Sequence, residues 1–183
     1  MNPVPCLTAL SLRMLVFVLL AILLLPVQTA AGAGPVPVRV DLPLSKDDRA
    51  VLVVQTGAGA RSFSLAQLEA LGLYRVSTST FWPGDEGVFE GPLLADVLKA
   101  AGLDDAAEVR VSALDGFTQQ IAREDWTRWP VMLATRKKGQ PMTTRNKGPI
   151  RIVYPRDMDP QLADARYRLR WVWLVKQIEG VSR

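Results

Sequence analysis

Three short stretches concentrate the residues able to do chemistry, and what they suit is gripping a molecule rather than making bonds. Arg145-Asn146-Lys147-Gly148-Pro149-Ile150-Arg151 carries two guanidinium forks, an amide and an ammonium within seven residues. A planar fork pairs bidentately with carbonyl and ring-nitrogen edges, or with a phosphate. Asn146 both donates and accepts. The same run also reads as a solvated basic loop. Phe81-Trp82 opens the loop Phe81-Trp82-Pro83-Gly84-Asp85-Glu86-Gly87. A loop tryptophan is exposed unless it covers something, so Trp82 either lids the domain's own core or offers an aromatic face. Asp115 can accept from an amino-amidine edge, and Asp115-Gly116 is equally an ordinary turn pair. Arg136-Lys137-Lys138, just before a turn, reads as a solvated tip.

What is missing narrows the classes further. The chain has 183 residues, no histidine and one cysteine, Cys6. Without histidine there is no Ser-His-Asp or Cys-His triad, no His-ligated haem and no ordinary Cys/His zinc site. One cysteine closes no intramolecular disulfide. An apolar fraction of 49% supplies a core, and 22% charged residues suit a soluble domain. The length allows one domain.

The first 33 residues read as an address. Arg13 is the one charge ahead of an apolar run, Met14 to Leu25, which ends at Pro26 and is followed by Ala31-Gly32-Ala33. This is the pattern of a secretory signal peptide. The run is shorter than the roughly 20 residues that span a bilayer, so cleavage near residue 32 or 34 is expected, leaving no membrane anchor. Cys6 precedes the apolar run and leaves with the leader. Arg13 has no arginine neighbour, so export by the general route, which threads unfolded chains, is expected, and a periplasmic location follows. Beyond the leader 21 basic residues face 18 acidic ones, a charge of +3. That is too little to argue for nucleic acid or membrane as partner.

The elements that must position these residues are short. Residues 34–48, with Pro35, Pro37 and Pro43, read as an extended lead-in, and 49–183 as the domain proper. Strands are expected at 50–54, 74–80, 108–113, 117–122, 131–135, 150–154 and 171–178. Ser64 and Gln67 form a capping box for a helix to Leu71. Pro92 suits the first position of a second helix, with Leu93, Leu94, Val97, Leu98 and Ala101 as its apolar stripe and Gly102 as its stop. Asp115-Gly116 turns a hairpin, and Gly139-Gln140-Pro141 turns the chain again. Arg166, Tyr167, Arg168 and Arg170 with Trp171 and Trp173 read as an alternating strand. One of its faces would pack inward and the other meet a partner protein. Trp126 and Trp129 read as core lids. Many short strands with two short helices make an α+β domain of mixed sheets.

Five stretches, in order, resemble the sulfite-oxidase-type molybdopterin-binding domain. They are Phe89-Glu90-Gly91-Pro92-Leu93-Leu94 with its helix to Gly102; Ala113-Leu114-Asp115-Gly116-Phe117; Val131-Met132-Leu133-Ala134 with Gly139-Gln140-Pro141-Met142; Gly148-Pro149-Ile150-Arg151-Ile152-Val153-Tyr154-Pro155; and Trp173-Leu174 with Ile178. The likeness covers roughly residues 51–179. In that family a cysteine thiolate binds molybdenum after the strand that here reads Val76-Ser77-Thr78-Ser79-Thr80. Here only hydroxyls stand there, and neutral hydroxyls replace a soft thiolate poorly. The family's histidine near Gly-Pro gives way to Arg145, Asn146 and Lys147. The lysine of its Val-Lys-Trp-Leu motif gives way to Val172.

The resemblance therefore implies a pterin-shaped cleft without a metal ligand. It is similar to a group of small periplasmic proteins of this fold that bind reduced pterins and signal to a membrane partner, a diguanylate cyclase/phosphodiesterase or a sensor kinase. On that reading the chain is not an enzyme, has no catalytic or metal-ligating residue, and takes a tetrahydropterin-type ligand rather than the molybdenum cofactor. Its pterin contacts would be Phe81, Trp82, Asp115, Arg145, Asn146, Lys147 and Arg151. The alternative is a molybdopterin-dependent oxidoreductase that holds its cofactor through non-thiolate contacts. A structural subunit using the fold as scaffold stands third.

Overall fold

Short β-rich runs punctuated by glycine and proline fold into three sheets wrapped round one apolar core. The computed structural model of the chain describes residues 35–181. The expected leader, 1–33, its Cys6 and its cleavage point lie outside the described residues. The strands are β1 (Val38–Val40), β2 (Ala50–Thr56), β3 (Gly59–Ser64), β4 (Leu73–Thr78), β5 (Gly87–Gly91), β6 (Glu108–Ala113), β7 (Thr118–Ala122), β8 (Met132–Ala134), β9 (Arg136–Lys137), β10 (Gln140–Pro141), β11 (Arg151–Val153) and β12 (Val175–Gly180). The helices are α1 (Leu65–Ala70), α2 (Leu94–Ala101) and α3 (Arg123–Arg128), joined by several 3-10 turns. One sheet runs β1-β4-β5-β9-β10, a second β3-β2-β12-β6-β7, and β8 pairs with β11 between helices and loops. All pairings are antiparallel except β12 with β2. This is the mixed α+β architecture expected.

Alternation places the core. Leu52 and Val54 of β2, Val109 and Val111 of β6, Ile121 of β7 and Ile178 of β12 turn inward from one sheet. Val76 and Phe89 do so from the other. Helix α2 drives Leu94, Val97 and Leu98 into the core at 0% exposure. Gly102, at φ 80°, ends it. The capping box of α1 forms in full: Ser64 Oγ accepts from the Gln67 amide at 3.2 Å, and Gln67 Oε1 accepts from the Ser64 amide at 2.9 Å.

Four expectations are corrected. Pro92 stands one residue outside the α2 cap, Leu93, which bridges to Met132. The turn before β10 is Lys138-Gly139, with φ 52° and 76°, so Gln140-Pro141 belongs to the returning strand. Residues 165–170 form a 3-10 turn, not an alternating strand. Asp164 caps it through the Arg166 amide, its one buried member is Tyr167, and Trp171, buried, follows as the C-cap. The last strand begins at Val175 rather than Trp171, because Leu174 adopts φ 55° and breaks the extension. Helix α3 was not expected at all. It is a turn and a half long, and its buried faces are Asp125 and Trp126. Tyr154, just after β11, donates to Asp125 at 2.6 Å, and Arg170 donates to the same carboxylate at 2.7 Å, so Asp125 ties the end of β11, α3 and the 3-10 turn together.

Candidate functional site

Strand β11 puts a charge where the core is driest. Arg151 lies at 0% exposure between Ile150 and Ile152. A buried guanidinium must be paired, and the partner is Asp85, from the loop after β4. Nη1 donates to Oδ1 at 3.1 Å and Nη2 to Oδ2 at 2.9 Å, a bidentate pair. Lys137 Nζ reaches Asp85 Oδ1 at 3.3 Å and Lys147 Nζ reaches Oδ2 at 2.9 Å. Three cations thus share one carboxylate. Burial alone would raise the Asp85 carboxyl, but the hydrogen bonds from Arg151 and Lys147 outweigh it and hold its pKa down at about 2. Arg151 Nε is buried with no hydrogen-bond partner among the described residues.

Two clefts open on either side of this cluster. The first, of about 540 Å³, is cationic; Asp85, Lys137, Lys138, Arg145, Asn146 and Lys147 line it. The second, of about 420 Å³, is aromatic; Trp82, Phe117, Trp171 and Trp173 line it with Asp115 and Arg168. A wall shared by the two is visible in the contacts. The Lys147 ammonium sits 4.0 Å from the Trp173 ring centroid and 5.6 Å from that of Trp82. Trp82 and Trp173 pack with centroids 4.6 Å apart. Arg168 lies over the Trp82 ring at 5.7 Å.

The expected site residues divide between these places. Trp82 and Asp115 line the aromatic cleft; Arg145, Asn146 and Lys147 line the cationic one. Trp82 both packs on the core and faces its cleft, so its two readings merge. Asp115 does the same: one oxygen accepts from the Phe117 amide at 3.0 Å, closing the turn, and the residue stays exposed at the cleft. Phe81 is turned into the cluster, edge-on to Trp82 and Trp171 at 6.2 Å. Arg151 lies beneath both clefts with its fork given to Asp85.

Sequence reasoning passed over Asp85, Lys137, Phe117 and Arg168 as site residues, and gave Trp171 and Trp173 to a strand. For Asp85 a signal existed. A lone arginine inside Ile150-Arg151-Ile152-Val153 demands a buried carboxylate, without saying which of the chain's 18 acidic residues supplies it.

The hydroxyls after β4 are already engaged. Ser79 Oγ donates to Asp157 Oδ1 and accepts from Arg156 Nη1 at 2.8 Å; its amide donates to Asp157 Oδ2 at 2.6 Å. Thr80 Oγ1 bonds the Trp82 carbonyl at 3.0 Å. Residues 82–159 match the family model described as oxidoreductase molybdopterin binding domain. The chain carries an oxidoreductase molybdopterin binding domain. A search of curated proteins returned no match. The matched span of this molybdopterin binding domain runs from Trp82 through Asp85 and Arg151 to Asp159, so it contains the whole buried charge cluster. Trp171 and Trp173 lie beyond it.

The family binds molybdopterin-type cofactors, and the residues present fit only part of such a group. The metal does not fit. Ser79 is a neutral hydroxyl already engaged by Asp157 and Arg156, the described residues contain no cysteine, and they gather no cluster of metal-ligating side chains. The flat organic part fits better. The aromatic cleft offers ring faces, a carboxylate and a guanidinium. The Nε1 donors of Trp171 and Trp173 are also buried without a partner among the described residues. Among the described residues no helix is long and apolar enough to cross a membrane.

Proposed function

We propose that this domain binds a reduced pterin in the aromatic cleft, without redox catalysis, and that it works in the periplasm as the sensing partner of a membrane signalling protein. The observation that carries the reading is Ser79. It stands in the stretch where the resemblance expects a thiolate, and Asp157 and Arg156 hold it as a neutral hydroxyl. A pterin ring stacks on Trp82 and Trp173, its amino-amidine edge gives hydrogen bonds to Asp115, and its carbonyl edge accepts from Arg168. Nothing in such a contact set makes or breaks a bond.

Tryptophan emission reports the test directly, because three indoles line the cleft. Titration with tetrahydrobiopterin, as a stand-in reduced pterin, is expected to quench it saturably. Trp173→Ala and Asp115→Asn are each expected to weaken binding more than tenfold. Saturable quenching that both variants leave intact would remove the aromatic cleft as the site.

A further inference from the structure

The cationic cleft has no role in the contact set just described, and its charge is unspent. Asp85 is the one carboxylate lining it, against Lys137, Lys138, Arg145 and Lys147, with Arg151 sealed beneath. Lys137 and Lys147 are half-buried and converge on Asp85. Lys138 and Arg145 are exposed and make no ion pair among the described residues. They come from different elements, the β9–β10 turn and the 3-10 turn at Thr144–Asn146. The backbone fixes both places: Lys138 and Lys147 are two of the three non-glycine residues with positive φ, at 52° and 66°, among the described residues.

The geometry points to this cleft as the docking site for an acidic segment of a partner protein, a chain carrying several carboxylates. Charge complementarity decides the class of occupant. A compact anion seated on the floor meets Asp85, which stays ionised. A chain along the rim meets the free cations Lys138 and Arg145, and the exposed flanks of Lys137 and Lys147, without approaching Asp85. A bilayer is flat and does not enter a concavity. The chain's small excess charge gives no general pull on polyanions. This placement gives a surface to the partner expected in the signalling reading, on which it rests. It also moves that contact away from residues 166–173, which form no strand.

The experiment uses a fluorescein-labelled twelve-residue peptide of alternating glutamate and glycine, followed by anisotropy at 150 mM salt. Binding is expected. Lys138→Glu with Arg145→Glu is expected to weaken it more than tenfold while leaving the tetrahydrobiopterin titration unchanged. The same reversal at exposed Lys99 and Lys176 is expected to change it less than twofold. Three results overturn the inference: equal binding of the glutamine-for-glutamate peptide, equal loss in the Lys99/Lys176 control, or displacement of the peptide by one equivalent of inorganic phosphate. Capture by phosphatidylglycerol vesicles without peptide binding overturns it too, in favour of a membrane surface. Peptide binding without any pterin binding keeps this inference and ends the pterin reading; pterin binding without peptide binding does the reverse.

Discussion

A single buried carboxylate organises the site, so substitutions at Asp85 and at its partners act differently. Asp85→Asn leaves Arg151 charged, buried and half-paired, and is expected to cost about 3–5 kcal/mol in chemical denaturation. Arg151→Met removes the other partner but leaves Asp85 with Lys137 and Lys147, so a smaller loss is expected. The double variant should recover part of the Asp85→Asn loss; strict additivity would show that the two do not act as a pair. The same residues set the response to acid. Asp85 falls to about 2 from an ordinary 3.8, and Glu69 lies below its ordinary 4.5, since bonds from Arg136, the Ser45 amide and Thr135 outweigh its burial. Both carboxyls bind protons more weakly folded than unfolded. Their contribution is whole above about pH 5 and is lost as pH falls toward 2. Denaturation midpoints measured between pH 7 and 3 should drop, and less steeply in Asp85→Asn. A flat profile would contradict the pairing.

Elements were legible where their signal was local. The Ser64 capping box, the α2 stripe with its glycine stop, and the Asp115-Gly116 hairpin are written within a few residues of one another, and they form as read. The failures lie where tertiary contacts decide. Helix α3 has no apolar stripe to show, because it is held through Asp125 and Trp126. Residues 165–170 look alternating because arginines separate the aromatics, yet the Asp164 cap on the Arg166 amide starts a 3-10 turn that buries Tyr167. The site divided the same way. Trp82, Asp115 and residues 145–147 could be singled out from their types, and the structure sets them along the two clefts. Asp85 could not be placed, since its partner lies 66 residues away. Close approach between elements is equally non-local. A Cβ on Gly91 would meet Ala134 Cα at 2.8 Å and the Thr135 amide nitrogen at 2.9 Å, where β5 lies against β8. Gly91→Ala is therefore expected to cost about 1–3 kcal/mol by overpacking, against about 1 kcal/mol for loss of the helix cap in Ser64→Ala. Thermal melts would rank the two, and the reverse order would contradict the close approach.

Over the whole molecule, a molybdopterin binding domain sets a cationic and an aromatic cleft around one buried charge cluster. The three sheets bring together pieces from both ends of the domain: the loop after β4, the β6–β7 hairpin, the 145–151 segment and the tryptophans ahead of β12. Leu174 ties two of them directly. Its amide donates to the Lys147 carbonyl at 3.2 Å, and its carbonyl accepts from Leu114 at 2.9 Å. The two clefts therefore share a partition built from Lys147, Trp173 and Leu174, and both lie on one domain. The most direct measurement is the molybdenum content of the protein purified from cells that make the molybdenum cofactor. Far less than one atom per chain, with a fluorescent pterin released on denaturation, is expected. One molybdenum per chain would contradict the assignment of Ser79 as a neutral hydroxyl held by Asp157 and Arg156, and with it the non-catalytic reading.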